Sequence, residues 1–150
     1  MKVVVQRSLS SSVSVDGKTV GSINHGLVLL VGFTSGDTEE IINKMVKKVI
    51  NLRIFDDENG VMNKSLIDVD GEILSISQFT LYADTRKGNR PSYINALGGD
   101  KASPLYDLFN NKLREAGIKV ETGIFGADMK VSIENLGPVT IILEIGDNNA

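Results

Sequence analysis

The sequence predicts a single α+β domain, a curled, barrel-like sheet with helices packed outside. Three observations predict it. The chain has 150 residues, the size of one ordinary domain. Short segments of strand character dominate it, and only two stretches carry a helical period. No regular strand–helix alternation runs through it, as a doubly wound parallel sheet would need. Hydrophobic residues at 41% and charged residues at 23% fit a globular chain. Folding at this length buries roughly 68–70% of the unfolded surface, enough for a core without staples. The domain is expected over residues 1–145, with 146–150 a disordered tail.

Lys2–Ser8 is rich in valine and reads as the first strand. Val13-Ser14-Val15 alternates into Asp16-Gly17, a hairpin signal, and 19–23 is the returning strand. Residues 27–33 form a nearly continuous apolar run, which suits a strand buried on both faces. The period then changes. Ile41, Ile42, Met45, Val46, Val49 and Ile50 make an apolar helical stripe, with Asp37 and Glu40 placed as a capping box before it. Lys44, Lys47 and Lys48 lie off that stripe and read as its solvated face.

Asp56-Asp57-Glu58-Asn59-Gly60 reads as a polar loop, because the twelve-residue spacing of a calcium loop is missing. Asp70-Gly71 is a second turn, followed by an apolar strand over 73–81. Residues 83–99 are loop-like, with Gly88, Pro91, Gly98 and Gly99. Ser103 is placed to cap a second helix with Pro104 at its first position and Gly117 closing it. Strands over 129–134 and 139–145 flank Asn135-Leu136-Gly137-Pro138.

The absences exclude more chemistry than the averages do. With no cysteine there is no disulfide, no thiolate metal site and no cysteine nucleophile. The single histidine, His25, rules out zinc sites of two or three histidines from one chain, and any Ser-His-Asp triad would have to pass through it. Standing beside Gly26 before an apolar strand, it reads as a satisfied loop or edge residue. Sixteen basic and nineteen acidic side chains give a net charge of −3, so any nucleic-acid contact has to be a local patch. No apolar run approaches the ~20 residues of a membrane span, and the amino terminus lacks the plan of a signal peptide; a cytoplasmic address is expected.

Two segments are polar where packing would prefer apolar residues. Ser77-Gln78-Phe79-Thr80-Leu81 ends the 73–81 strand and runs into a loop carrying Arg86, Lys87 and Arg90. Such a strand end can aim hydroxyls, amides and backbone N–H groups at a ligand, and the cations can hold phosphates; a solvated loop is the alternative. Gly137-Pro138 is the second. Base rate favours a plain trans turn there, since roughly 5–6% of X–Pro bonds are cis. Arg7, within an apolar strand, needs a backbone carbonyl or a carboxylate as partner. Phe125 and Met129 flank Gly126-Ala127-Asp128 and read as packing.

Together these segments resemble the D-aminoacyl-tRNA deacylases of the D-tyrosyl-tRNA deacylase type. The resemblance runs over residues 1–145. It is carried by Val4-Val5-Gln6-Arg7, Gly36-Asp37-Thr38, Leu52-Arg53-Ile54-Phe55, residues 77–91, Thr122-Gly123-Ile124-Phe125-Gly126-Ala127-Asp128-Met129, and Asn135-Leu136-Gly137-Pro138-Val139-Thr140. It implies a symmetric homodimer that hydrolyses the ester of D-aminoacyl-tRNA, and glycyl-tRNA mischarged on alanine tRNA. It implies no cofactor, no obligatory metal and no membrane partner. Ser77, Gln78, Phe79 and Thr80 are the implied catalytic segment. A cis Gly137-Pro138 bond is implied to enter the partner's pocket and exclude L-amino acids, with Arg7, Phe125 and Met129 in support. Arg86, Lys87 and Arg90 are expected on the tRNA phosphates. A DNA-binding, replication-associated module of the same fold is the alternative.

Overall fold

The computed structural model describes residues 1–146, and residues 147–150 of the expected tail lie outside the described residues. Ten strands and two helices follow one another: β1 Lys2–Ser8, β2 Ser11–Val15, β3 Lys18–Ile23, β4 Gly26–Gly32, α1 Glu39–Asn51, β5 Phe55–Asp56, β6 Met62–Lys64, β7 Glu72–Ser77, α2 Gly99–Glu115, β8 Val120–Thr122, β9 Lys130–Ser132 and β10 Asn135–Glu144. A single 3-10 turn, Phe79–Tyr82, follows β7.

The strands lie in three sheets, none of them closed. The main sheet has the order β10-β1-β4-β7-β8, a smaller one β3-β2-β9, and β5 pairs only with β6. Within the main sheet β1 runs antiparallel to β10 and β4, while β7 runs parallel to β4 and β8. The β2–β3 hairpin turns at Asp16-Gly17, both with positive φ (51° and 78°), the geometry an Asp-Gly pair favours.

β4 explains its own apolar run. Leu27, Leu29 and Val31 point into the larger core, shared with Ile42, Met45, Val49, Phe109 and Leu113 of the helices. Val28, between them, points the other way and packs with Leu74, Ile76, Val13 and Ile23. A strand covered on both faces has no place for alternating polar residues.

Several boundaries differ from the sequence expectation. Asp37 does not cap α1, because its carboxylate is held by the Met1 amine at 2.7 Å and the Thr34 N–H at 2.8 Å. Thr38 takes the role, its hydroxyl accepting from the Ile41 N–H at 3.3 Å. α2 begins before Ser103: the Leu97 N–H donates to the Phe33 carbonyl at 3.0 Å, and the chain turns helical directly after it, with Gly98 as cap. Pro104 therefore sits inside the helix rather than at its first position. Gly117 closes α2 with φ of 90°. The 73–81 strand stops at Ser77. The β5–β6 hairpin and the short β8 were not anticipated. The expected final strands, 129–134 and 139–145, become Lys130–Ser132 and Asn135–Glu144.

Candidate active site

β7 delivers Ser77 to the end of the main sheet next to the end of β4. The Gln78 N–H donates to the Val31 carbonyl at 2.7 Å, the last bond tying this chain segment to β4. The chain then tightens into the 3-10 turn. Gly32 makes that possible: a Cβ there would lie 2.9 Å from the Gln78 carbonyl oxygen and 3.2 Å from the Leu81 Cβ. Lys2 holds the turn from outside, donating to the Leu81 carbonyl at 3.1 Å with its ammonium 4.9 Å from the Tyr82 ring centroid.

The first N–H groups of such a turn have no partner within it. Among the described residues the Phe79 and Thr80 N–H groups meet no acceptor. The Thr80 hydroxyl accepts from the Gln78 side-chain amide. Burial, then the Asp37 and Glu144 carboxylates, push the Tyr82 phenol well above its ordinary value, so it stays protonated and is no base.

Of these, Gln78 and Phe79, but not Thr80 or Tyr82, line a cavity of about 610 Å³. Its walls are the ends of β4 and β7, the start of α2 at Leu97, Gly98 and Gly99, and the Phe125–Met129 loop. Ser77, Gln78 and Phe79 are thus gathered with Phe125 and Met129. Phe125 packs on Tyr106 (centroids 5.8 Å apart), whose hydroxyl donates to the Ser75 carbonyl at 2.8 Å. That chain of contacts ties the aromatic wall to the strand carrying Ser77. Met129 rests on Gly123, where any Cβ would collide with its sulfur.

Gly137 and Pro138 do not line this cleft. They stand at the sheet edge with Arg7. Register in the β1–β10 ladder jumps from Gln6↔Thr140 to Ser8↔Asn135, so residues 136–139 leave the ladder as an excursion opposite Arg7 alone. The Gly137-Pro138 bond is cis. Arg7 meets both kinds of partner that a buried guanidinium could want: Nε donates to the Leu136 carbonyl at 2.9 Å, and Nη1 to the Ile54 carbonyl at 2.9 Å and to Asp56 at 3.1 Å. From the other end, the Asn135 side-chain oxygen accepts from the Val139 N–H at 2.8 Å. The excursion is braced on both sides while Leu136, Gly137 and Pro138 stay exposed.

Arg86, Lys87 and Arg90 are exposed on the loop after the 3-10 turn. Arg86 is already engaged, its Nε and Nη2 on Asp84 at 2.9 and 2.8 Å. That fork, with the Arg86 N–H, holds the Asp84 carboxyl down at about 2. His25 lines a separate cavity of about 400 Å³ with Glu72 and Lys119. No group of three or more potential metal ligands gathers among the described residues, and no helix is long and apolar enough to cross a membrane. Sequence reasoning passed over Tyr93 and the Leu97–Gly99 wall; an aromatic residue within a Gly/Pro-rich polar loop was the signal available.

A family model described as D-Tyr-tRNA(Tyr) deacylase matches residues 4–144. A D-aminoacyl-tRNA deacylase of Limosilactobacillus reuteri is 58% identical over 144 residues, covering 96% of this chain and 99% of that protein. One from Clostridium perfringens is 60% identical over 148 residues, covering 99% of each. Among solved structures, a c-Myc DNA Unwinding Element Binding Protein superposes with a TM-score of 0.91 at 42% identity, covering 97% of this chain and 99% of its own.

Proposed function

The chain belongs to the D-Tyr-tRNA(Tyr) deacylase family, and from that premise we propose that it hydrolyses the ester joining a D-amino acid to the terminal adenosine of tRNA. It is an aminoacyl-tRNA ester hydrolase by that membership. The observation that carries the mechanism is the pair of consecutive unpartnered N–H groups at Phe79 and Thr80, where Phe79 lines the cleft with Ser77 and Gln78 and Thr80 follows it in the turn.

An aminoacyl ester is activated, so positioning and charge stabilisation supply most of what its hydrolysis needs. Water attacks the carbonyl carbon, and the developing oxyanion accepts from the Phe79 and Thr80 N–H groups. The intermediate collapses, the ribose 3′-oxygen leaves with a proton, and free D-amino acid and tRNA result. Ser77 and Gln78 orient the adenosine and the substrate's amino group, and its 2′-hydroxyl helps activate the water. Thr80 is not the nucleophile in this reading: its hydroxyl faces the Gln78 amide, a donor and not a base.

Selectivity comes from a second copy of the chain. The Gly137-Pro138 excursion is braced by Arg7 and Asn135 yet meets nothing in its own cleft, the geometry of a rigid part made for another surface. Entering the partner's cleft, its carbonyls occupy the place of an L side chain, while Phe125 and Met129 form the receiving wall. Glycine has no side chain to exclude, so glycyl-tRNA mischarged on alanine tRNA is also a substrate. Lys87, Arg90 and Arg86 meet the phosphates of the acceptor end. No cofactor is required, and the cell compartment is the one where tRNA is charged.

Release of amino acid from D-tyrosyl-tRNA and L-tyrosyl-tRNA by one preparation, with chelator present, tests this. Loss of the D ester with the L ester intact is expected; equal loss of both sinks the Gly137-Pro138 filter, and loss of neither sinks the activity. The likeness to a protein described as binding a DNA unwinding element favours one other reading, a DNA-binding module. A net charge of −3 opposes a broad duplex surface. Gel mobility with duplex DNA against D-aminoacyl-tRNA at equal salt separates the two.

A further inference from the structure

Tyr93 and Phe79 form an exposed aromatic pair on the rim of the cleft. Their rings meet edge to face with centroids 5.0 Å apart, yet Phe79 is 56% and Tyr93 43% exposed. Packed aromatic pairs normally lie in cores or interfaces, because each ring has a large apolar area to hide. This one lies between the cleft, which both residues line, and the cationic loop 84–92.

The strap bearing Tyr93 is held at each end. Asp84 and Ser92 exchange backbone hydrogen bonds at 2.8 and 2.9 Å. Past Tyr93, the Thr34 hydroxyl donates to the Asn95 carbonyl at 2.6 Å, and the Leu97 N–H to the Phe33 carbonyl at 3.0 Å. The Ala96 N–H closes a turn on the Tyr93 carbonyl at 3.0 Å. A rigid, pre-placed ring needs little ordering when a flat ligand settles on it.

We propose that Tyr93, buttressed by Phe79, is the stacking platform for the base of the nucleotide preceding the terminal adenosine. The inference rests on the deacylase reading and extends it along the strand. A cavity of about 610 Å³ falls in the ~300–1,000 Å³ range of small-ligand sites and accommodates one aminoacylated nucleoside. The next nucleotide therefore crosses the rim. There it meets an aromatic face with Lys87 and Arg90 on the same loop, the combination of stacking surface and phosphate-tracking cations by which proteins hold single strands. Stacking reads no base identity, which suits a substrate end shared by every tRNA.

The test uses two non-hydrolysable probes, D-tyrosyl-3′-aminoadenosine and the same compound extended by one 5′ cytidylate. For the unmodified protein the added nucleotide should tighten binding roughly five- to hundredfold. Tyr93→Ala should lose that gain and Tyr93→Phe should keep it, the gain being the ratio of the two affinities within each protein, and binding of the shorter probe reports that the cleft is folded. A gain that survives Tyr93→Ala overturns the platform. Equal weakening of both probes by a folded Tyr93→Ala protein gives the ring to the terminal adenosine instead, and also overturns it. So does a Tyr93→Ala chain that dissociates in sedimentation velocity, since the ring would then be covered by a second copy. If the unmodified protein binds neither probe, the deacylase reading fails and takes this one with it.

Discussion

Arg7 donates from Nε to the carbonyl oxygen of Leu136 at 2.9 Å, one residue before Gly137. The same guanidinium reaches the Ile54 carbonyl and Asp56, and its side chain is only 9% exposed. One buried fork thus sets where an exposed excursion stands. Arg7→Lys keeps the charge but cannot reach three acceptors in that planar arrangement. The buried Ile54 carbonyl, left without its donor, costs about 1–3 kcal/mol. A lowered melting temperature is expected, together with faster hydrolysis of L-tyrosyl-tRNA relative to D. Unchanged D/L discrimination in a destabilised Arg7→Lys protein would reduce Arg7 to a stability residue.

Gly137 gives a second handle on the same part. Its φ is 133°, and a Cβ there would lie 2.8 Å from the Val139 Cγ2 and 2.9 Å from the Arg7 Nη2. An L side chain is disfavoured by both backbone and neighbours. Gly137→Ala should shift the excursion and relax chiral selectivity while the cleft, built from other elements, keeps its D-ester activity. A variant that stays fully selective would show that the carbonyls at this position do not exclude L substrates.

The N–H groups of the 3-10 turn and the Thr80 hydroxyl make opposite predictions. Thr80→Ala removes the hydroxyl and keeps the N–H, and its activity should fall far less than the roughly 10²–10⁴-fold that loss of a positioned proton-transfer group costs. Phe79→Pro removes one N–H. The site tolerates it locally: Gln78 has φ −146° and ψ 80°, outside the helical region that a following proline disfavours. Its kcat should drop about 10²–10³-fold, the cost of one oxyanion donor, below that of Phe79→Ala, which loses the same ring but keeps the N–H. An acyl-enzyme trapped on Thr80 would reverse both assignments.

On the basic loop the three cations are unequal. Arg86 is bidentate on Asp84, which is ionised at any working pH because its pKa is held at about 2. An exposed pair of this kind is weak and can trade partners, but a phosphate taking Arg86 leaves Asp84 beside another anion. Lys87→Ala and Arg90→Ala should each flatten the salt dependence of tRNA binding, by about 0.7 in slope per lost single-strand phosphate contact. Arg86→Ala should do less. A triple variant with an unaltered slope would remove the loop from the tRNA footprint.

What the sequence made legible is what depends on neighbours along the chain. Asp16-Gly17, the 27–33 run and Gly117 each announce local backbone demand or two-sided burial, and each stands where expected. Asp37 misled because its claimants, the Met1 amine and the Thr34 N–H, come from the tertiary fold and the preceding turn. The three-residue β8 is strand only because β7 lies alongside, a pairing too short to leave a period. In the candidate site, Ser77–Thr80 stood out as polarity at a strand end. Tyr93 carried only a weak mark, an aromatic ring in a polar loop, and its role is set when the fold brings Phe79 against it.

Glu72 carries the pH dependence of the opposite end of β7. Its carboxylate accepts from the Asn24 N–H at 2.9 Å and pairs with Lys119 at 3.0 Å. The Asn24 hydrogen bond is the larger cause holding its carboxyl below the ordinary value, with Lys119 adding to it. A group whose folded pKa is depressed releases its proton more readily when folded, so its stabilisation is complete above the unfolded value. That stabilisation drains as pH falls through the folded value. Glu72→Gln keeps the side-chain shape and one acceptor but removes the charge. The gap in melting temperature between parent and variant should therefore be widest near neutral pH and close on acidification, while deacylation at neutral pH, run from a cleft that Glu72 does not line, stays unchanged. A gap that persists at the acid end would assign Glu72's contribution to packing and not to its charge.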